Sequence, residues 1–501
     1  MHQIFLMTPI VEMQKVTFVW RVEPATTLYR KTSFTMAFPG SVDLSRVPDR
    51  LWWDIFLICL HPHWLLLRPC QIHLPLKVPA PERQFWLQLL QNGFDTLTAY
   101  GPEGLRLDSL GITMISGELD IPRTPVTGSG FGTSFSSGKD SLLQAGLLCE
   151  LTERPLLVTT TSSMPPSATH ETERRRTVLA AIQGRRNLQL VEVNSDFRSI
   201  WDNGFAGHLG YSLAVNELTD TFLYMSSLLV VGAALGSTRL FLASEAEVQV
   251  NAIVDGKIVQ HKHFMYSAAT QRALGRLLVP YGIRFGSLTW PLYGIHVQQL
   301  LWTRYPDLCD LQYSCWLVQP GEAACSQCEQ CFRIAMIALA SGENPERMGI
   351  DLRKVLCHAP DYVTTVSTAT CIPPDDRREG AAVVRDTVCR VSLTHLASVL
   401  ANGRNRSLAS RKAFRMFWNF YRLQLLAQQA PRYRRPGVRE AFFDWLDPEL
   451  RDSVVGIYTH QFPCEPRREH FGEYERSRAL TLRATSFLNE STQNARLRPE
   501  K

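Results

Sequence analysis

The sequence predicts an α/β protein: a mostly parallel sheet with helices on both faces, preceded by an N-terminal α+β domain and followed by a mainly helical C-terminal region. Two observations carry this. From residue 131 onward strand-like and helix-like segments alternate, which is the pattern of a parallel sheet built from crossover units. The stretches before and after that run break the alternation in different ways. The composition agrees, with 45% apolar and 20% charged residues in a chain of 501, long enough for two or three domains.

Within the first 125 residues, "KVTFVWRVE" and "CQIHLPLKV" alternate as strands do, while "DRLWWDIFLICL" and "ERQFWLQLLQNGF" have helical spacing. The following "DIPRTPVTGSGFG" gathers Pro, Gly, Ser and Thr, so a boundary is expected at 125/126. The central domain, 126–355, is then read as strand 131–136, helix 140–151, strand 156–161, helix 171–185, strand 188–193, helix 216–235, strand 239–243, and helices 268–281 and 294–305. Ligands of such sheets sit at the carboxyl ends of the strands. After about residue 355 the order gives way to a loop-rich passage and helix-like segments. One of these carries Phe414, Phe417, Trp418, Tyr421 and Leu425 at helical spacing, read as a buried helix face.

Charge and apolar runs exclude several classes. The net charge is +6, but residues 401–501 hold 19 Lys and Arg against 11 Asp and Glu, so the basic excess lies in the C-terminal region, where contact with a polyanion is an open expectation. The apolar runs Leu51–Leu67 and Phe222–Ala243 are interrupted by polar residues and by Gly236, so both read as core elements, with no membrane contact expected. No secretory leader is apparent, and a cytoplasmic location is expected.

The stretch "TSFSSGKDSLLQAG" places Ser136, Ser137, Gly138, Lys139, Asp140 and Ser141 between a strand and a helix. Successive backbone N–H groups and the positive helix end then converge on one point, with Lys139 adding a full charge: an anion cradle. The common lysine-containing phosphate loop requires Gly where Thr133 stands and Ser or Thr where Asp140 stands, and the dinucleotide fingerprint fails on the spacing of Gly128, Gly130 and Gly132.

Of the 12 cysteines, Cys315, Cys325, Cys328 and Cys331 lie close together. Their spacing can bring four thiolates to the corners of a tetrahedron, for which a structural Zn²⁺ is the simplest occupant; an iron–sulfur cluster or buried cysteines are the other readings.

"SSGKDS" resembles the loop of the N-type ATP pyrophosphatases, Ser-Gly-Gly-x-Asp-Ser, at every place except Ser137, which stands where that family has Gly. With the four cysteines behind it, the chain resembles the 7-cyano-7-deazaguanine synthases over roughly residues 131–345. Arg333, two residues after the last cysteine, matches an Arg of that family, and "HETE" with His170 and Glu173 is a weaker match. The resemblance implies an adenine nucleotide alpha hydrolase-like fold. It also implies ATP and Mg²⁺ bound by Ser136 to Ser141, with Lys139 and Asp140 catalytic and Zn²⁺ on the four cysteines. The implied activity is an ATP-dependent C–N ligase of the kind used in queuosine biosynthesis, adenylating a carboxylate or amide oxygen before attack by an amine or ammonia.

The chain departs from that family where a Lys-x-Glu is expected, since "PLYGIHVQQ" has Val297 and Gln299, with His296 the titratable group nearby. Glu245 and Glu247 suit a cationic or amine-bearing ligand, and His263, like His296, reads as structural. The additional terminal regions are similar to those of synthase-like proteins of bacterial anti-phage defence, so the implied acceptor is a deazapurine-like small molecule or a protein or nucleic-acid target. A tRNA-modifying sulfur transferase and a non-catalytic ATP-binding module in a defence complex stand as alternatives.

Overall fold

The computed structural model describes residues 1–100, 109–162, 166–211, 215–246, 251–254, 257–260, 264–315, 324–357, 387–402, 411–428, 438–439, 442–443, 446–465 and 471–473. It divides into two compact units. The first comprises residues 1–250, 259–313 and 437–468, the second 251–258, 314–436 and 469–501.

The first unit is α/β. Its strands are β1 (His2–Leu6), β2 (Ile10–Val11), β3 (Lys15–Glu23), β4 (Ser33–Ala37), β5 (Cys70–Leu76), β6 (Ile112–Leu119), β7 (Gly130–Ser134), β8 (Leu156–Ser162), β9 (Gln189–Ser195) and β10 (Ser237–Phe241). A short strand, Arg284–Gly286, which the sequence reading does not contain, completes an 11-stranded sheet. The helices are α1 (Asp49–Trp64), α2 (Ala80–Tyr100), α3 (Lys139–Leu151), α4 (Pro166–Arg185), α5 (Phe205–His208), α6 (Val215–Leu235), α7 (Ala268–Leu278), α8 (Gly294–Thr303) and α9 (Pro306–Cys309).

Five strands run parallel in the order 284–286, β10, β7, β8, β9. The chain winds outward from β7 to β8 and β9, then returns through α6 to β10 on the other side of β7. Because crossovers are right-handed, this reversal sends helices to opposite faces and opens a crevice between β7 and β10 at their carboxyl ends. On one side α3 packs with α8 and α9; α6 lies along β7, β8 and β10.

The sequence reading separates residues 1–125 from this sheet, but β4 pairs antiparallel with β9 through Met36–Ser195 and Ala37–Asn194, so both parts share one sheet. They also share one core, in which Val16, Phe18, Trp20 and Val22 from the alternating face of β3 join Leu156, Val158, Phe222 and Leu240. The residues expected to link the two parts are packed instead. The Arg123 guanidinium donates to Asp54 at 3.0 and 3.1 Å and to Glu82 at 3.1 Å, and Asp54 is fully buried. Arg50 pairs with Glu82, and Tyr281 donates to Asp54 at 2.6 Å. Gly128, at φ +141°, lies so close to Gly236 that a Cβ would sit 2.1 Å from its carbonyl oxygen.

Helix α6 is long and apolar enough to cross a membrane by length and composition, yet 83% of its apolar window is buried within the fold. It ends at Gly236, whose φ of +74° turns the chain into β10, where the sequence places that division.

The second unit contains β11 (Asn251–Val254), which pairs parallel with residues 471–473, and the helices α10 (Glu329–Ala340), α11 (Leu352–Cys357), α12 (Leu393–Asn402) and α13 (Arg411–Gln428). Helix α13 packs on α11 and buries Met416, Phe420 and Leu423, while Gln424 donates to the carbonyls of Val391 at 2.7 Å and Val388 at 3.3 Å. The expected buried stripe is therefore displaced by part of a turn: Trp418 is 50% and Leu425 40% exposed. Arg415 and Arg422 share their face and stay in water, which turns that face outward. Phe417 is half-buried, and the Phe414 side chain lies outside the described residues.

The basic C-terminal region is divided between the units. Residues 437–468 return to the first, with α14 (Pro448–Gln461) against α3. Asp447, preceding α14, is buried against Arg239 at 2.9 Å and also pairs with Arg284, and Tyr458 donates to the carbonyl of Leu288 at 2.7 Å.

Candidate functional site: an anion cradle and a four-cysteine cluster

The turn from β7 into α3 opens on the crevice between β7 and β10. Gly138 is the N-cap of α3 (φ −73°, ψ 166°) and supplies no capping side chain, so the first-turn N–H groups of the helix are left to other acceptors. Ser141 Oγ donates to the carbonyl of Gly138 at 3.0 Å and accepts from the backbone N–H of Ser136 at 3.3 Å, with Ser136 Oγ 3.2 Å away. These two serines brace the turn from within. The carbonyl of Ser137 accepts from the N–H of Tyr313 at 2.8 Å, which fixes that peptide.

Ser137, the departure from the resembled loop, adopts φ +66° and is fully buried, with no partner for its Oγ among the described residues. Left-handed backbone strains a residue with a Cβ, and a buried, unpaired hydroxyl adds a desolvation cost. The backbone thus keeps the conformation in which glycine is favoured, although the residue is serine.

Lys139 is 3% exposed, and its Nζ lies 2.9 Å from each carboxylate oxygen of Asp140 and in contact with Glu245. Burial pushes the Asp140 carboxyl up to about 6; Lys139 pulls it down and Glu245 pushes it further up. Among the described residues one cation between two carboxylates leaves a formal charge of −1, so a polyphosphate is best received here together with compensating positive charge. The cationic partner of Glu245 is thus the chain's own Lys139.

The backbone of Ser244, just before Glu245, is held by a buried polar network that the sequence reading does not contain. The N–H of Ser244 is shared between Ser287 Oγ (3.1 Å) and Thr289 Oγ1 (3.0 Å), and Thr289 Oγ1 donates to the Ser244 carbonyl at 2.8 Å. Gln144 on α3 donates to Thr133 Oγ1 at 2.7 Å and accepts from the N–H of Leu288 at 2.9 Å. The polar residues in the otherwise apolar "FGSLTWPL" are the signal that could have indicated this network.

His296 is buried in the first turn of α8, where its Nδ1 accepts from the N–H of Tyr293 at 3.3 Å, and its ring packs on Phe462 with centroids 4.4 Å apart. It is a capping and packing residue. Val297 is buried beside it, Gln299 lies on the same helix, and Glu173 is exposed on α4. Glu247, His263 and the side chain of His170 lie outside the described residues.

In the second unit the sulfurs of Cys315, Cys325, Cys328 and Cys331 all lie within 4.8 Å of one another. Sγ separations are 3.9 Å for Cys325–Cys331 and 3.5 Å for Cys328–Cys331. Ligands about 2.3 Å from a tetrahedral Zn²⁺ stand about 3.8 Å apart, so the set fits a metal ion of that kind. Cys328 is the N-cap of α10 and Cys331 lies in its first turn, where the helix end favours thiolates. Ser326, at φ +57°, folds the preceding turn so that the N–H groups of Gln327 and Cys328 reach Cys325 Sγ at 3.4 and 3.3 Å, while that of Cys325 reaches Cys315 Sγ at 3.2 Å. Mutual thiol contacts, that with Cys328 foremost, hold Cys315 up to about 12, and the contact with Cys315 pushes Cys331 higher. Groups that resist ionising one by one release their protons when a divalent cation shares their charge. Arg333, two residues after Cys331 on α10, is half-buried.

Compared with protein-family models, curated proteins and solved structures, the chain returns no match.

Proposed function

We propose that the chain is an ATP-dependent ligase with an adenine nucleotide alpha hydrolase-like domain. It would transfer AMP to a carboxylate or amide oxygen with release of pyrophosphate, and ammonia or another amine would then attack the activated carbon and displace AMP. The observation that carries this reading is the buried Lys139, held by Asp140 and Glu245 at the open N-terminus of α3, in the crevice between β7 and β10.

Each residue has a role that follows from its surroundings. The N–H groups of the first turn of α3 bind the terminal phosphates, and Lys139 stabilises the charge that gathers on them as the bond between the α- and β-phosphates breaks. Asp140 and Glu245 provide the oxygen donors that suit Mg²⁺, which when bound supplies positive charge to the leaving pyrophosphate. Lys139, buried at the start of α3, is the cation placed to reach the phosphates. Ser136 and Ser141 hold the turn in shape throughout.

On the second unit, thiolate donors suit Zn²⁺, as a structural element. The proposed acceptor is a deazapurine-like small molecule carrying a carboxylate.

The test is pyrophosphate and AMP formation by the purified full chain from ATP, 7-carboxy-7-deazaguanine and ammonia. Acceptor-dependent AMP, lowered roughly a hundredfold or more in Lys139→Ala, is the expected result. Turnover unchanged in Lys139→Ala overturns the reading.

A further inference from the structure

The outward face of α13 is unusual for a solvated helix. Trp418 is 50% exposed and Leu425 40%, and Arg415 and Arg422 are exposed one turn before and one turn after Trp418. Tyr421 packs beside Trp418, with ring centroids 5.8 Å apart and planes at 37°. The helix carries Arg411, Lys412, Arg415 and Arg422 and no carboxylate. Among the described residues neither Arg415 nor Arg422 has an ion-pair partner. The opposite face is committed to the core through Met416, Phe420 and Leu423, so this face is not a helix side waiting to be buried by its own unit.

We infer that this face of α13 binds single-stranded nucleic acid, with a base stacked on Trp418 and phosphates on Arg415 and Arg422. The chemistry of the stripe selects this occupant. A purely apolar partner would have to cover two uncompensated guanidiniums, and a purely anionic one would leave the indole unused. A single strand offers both an unpaired π-face and backbone charge. Arg415 and Arg422 are about 10 Å apart along the helix axis, room for one base between two phosphate contacts. The cations of α13 itself, with no carboxylate on the helix, attract the same ligand at longer range. The inference does not depend on the ligase reading.

The experiment is fluorescence anisotropy of a labelled oligouridylate of about 12 nucleotides, titrated with the full chain over a series of salt concentrations. Binding is expected, weakened about tenfold by Trp418→Ala and restored in large part by Trp418→Phe. Arg415→Ala combined with Arg422→Ala should lower the slope of log affinity against log salt by about 1.4, the release expected for two single-strand phosphates. All three positions are solvent-facing, so thermal unfolding of the variants should match the parent. The inference is overturned by absence of binding, by affinity that these variants leave unchanged, or by equal affinity for a duplex of the same length. It is overturned too by equal affinity for polyglutamate, which would mark the face as a site for an acidic protein.

Discussion

Lys139 Nζ stands 2.9 Å from both carboxylate oxygens of Asp140, its neighbour in sequence, at the first turn of α3. Burial nevertheless holds the Asp140 carboxyl up to about 6, above the ordinary 3.8. Between those values the folded chain keeps a proton that the unfolded chain has released. Stability from this group is therefore present below about pH 4, falls as pH rises to about 6, and is flat above. The loss expected is at most about 3 kcal/mol, and Asp140→Asn should abolish this component. Thermal unfolding of both proteins at several pH values across that window measures it.

Ser137 gives a second expectation. Ser137→Gly should stabilise the protein by about 1 kcal/mol, because glycine accepts positive φ without strain and removes a buried hydroxyl that has no partner. Ser137→Val should destabilise it by more than that, since a β-branched side chain is least tolerant of that backbone. Urea denaturation of the three proteins decides the order.

The cysteine cluster should hold about one metal ion per chain. Cobalt substitution of the purified protein should give the visible absorption of tetrahedral thiolate coordination. Cys328→Ser, which removes a thiolate ligand while leaving a residue able to cap α10, should weaken metal binding by about a hundredfold or more. Metal analysis after dialysis against a chelator measures the difference.

Arg123 sits where the sequence indicates a flexible connection, yet it neutralises the fully buried Asp54. Arg123→Ala should cost about 3 kcal/mol or more, because a buried carboxylate with too little opposing charge is left behind. Adding Asp54→Asn should recover part of that loss. Limited proteolysis of the parent protein should spare residues 120–130 and cut there in the single variant.

What the sequence makes legible is what local pattern encodes. Alternation in "KVTFVWRVE" marks β3, and Gly236 marks the end of α6 because a left-handed turn there requires glycine. The β7–α3 turn is readable because the end of a strand, a glycine and the start of a helix follow one another within a few positions. Four clustered cysteines announce their own convergence.

What stays hidden depends on partners distant in sequence. Residues 284–286 are too short to show alternation, and Glu245 acquires its role from Lys139, which no local pattern relates to it. The segment around Arg123 has the composition of a loop, and its packing is set by Asp54 and Glu82 in helices far upstream. The stripe on α13 misleads for a related reason: two adjacent faces are apolar, and neighbouring arginines decide which is buried.

Asp447 bears on how the chain is made as well as how it stands. Arg239 and Arg284 belong to strands synthesised long before it, and Tyr458, which reaches the carbonyl of Leu288, emerges later still. A nascent chain that ends near residue 430 therefore leaves Arg239 and Arg284, on the last two strands of the sheet, without their shared carboxylate and lacks the helix that packs on α3. The first unit cannot finish folding on the ribosome until residues 314–436 of the second unit have been translated. Truncation in the C-terminal third thus damages the body that begins at the N-terminus.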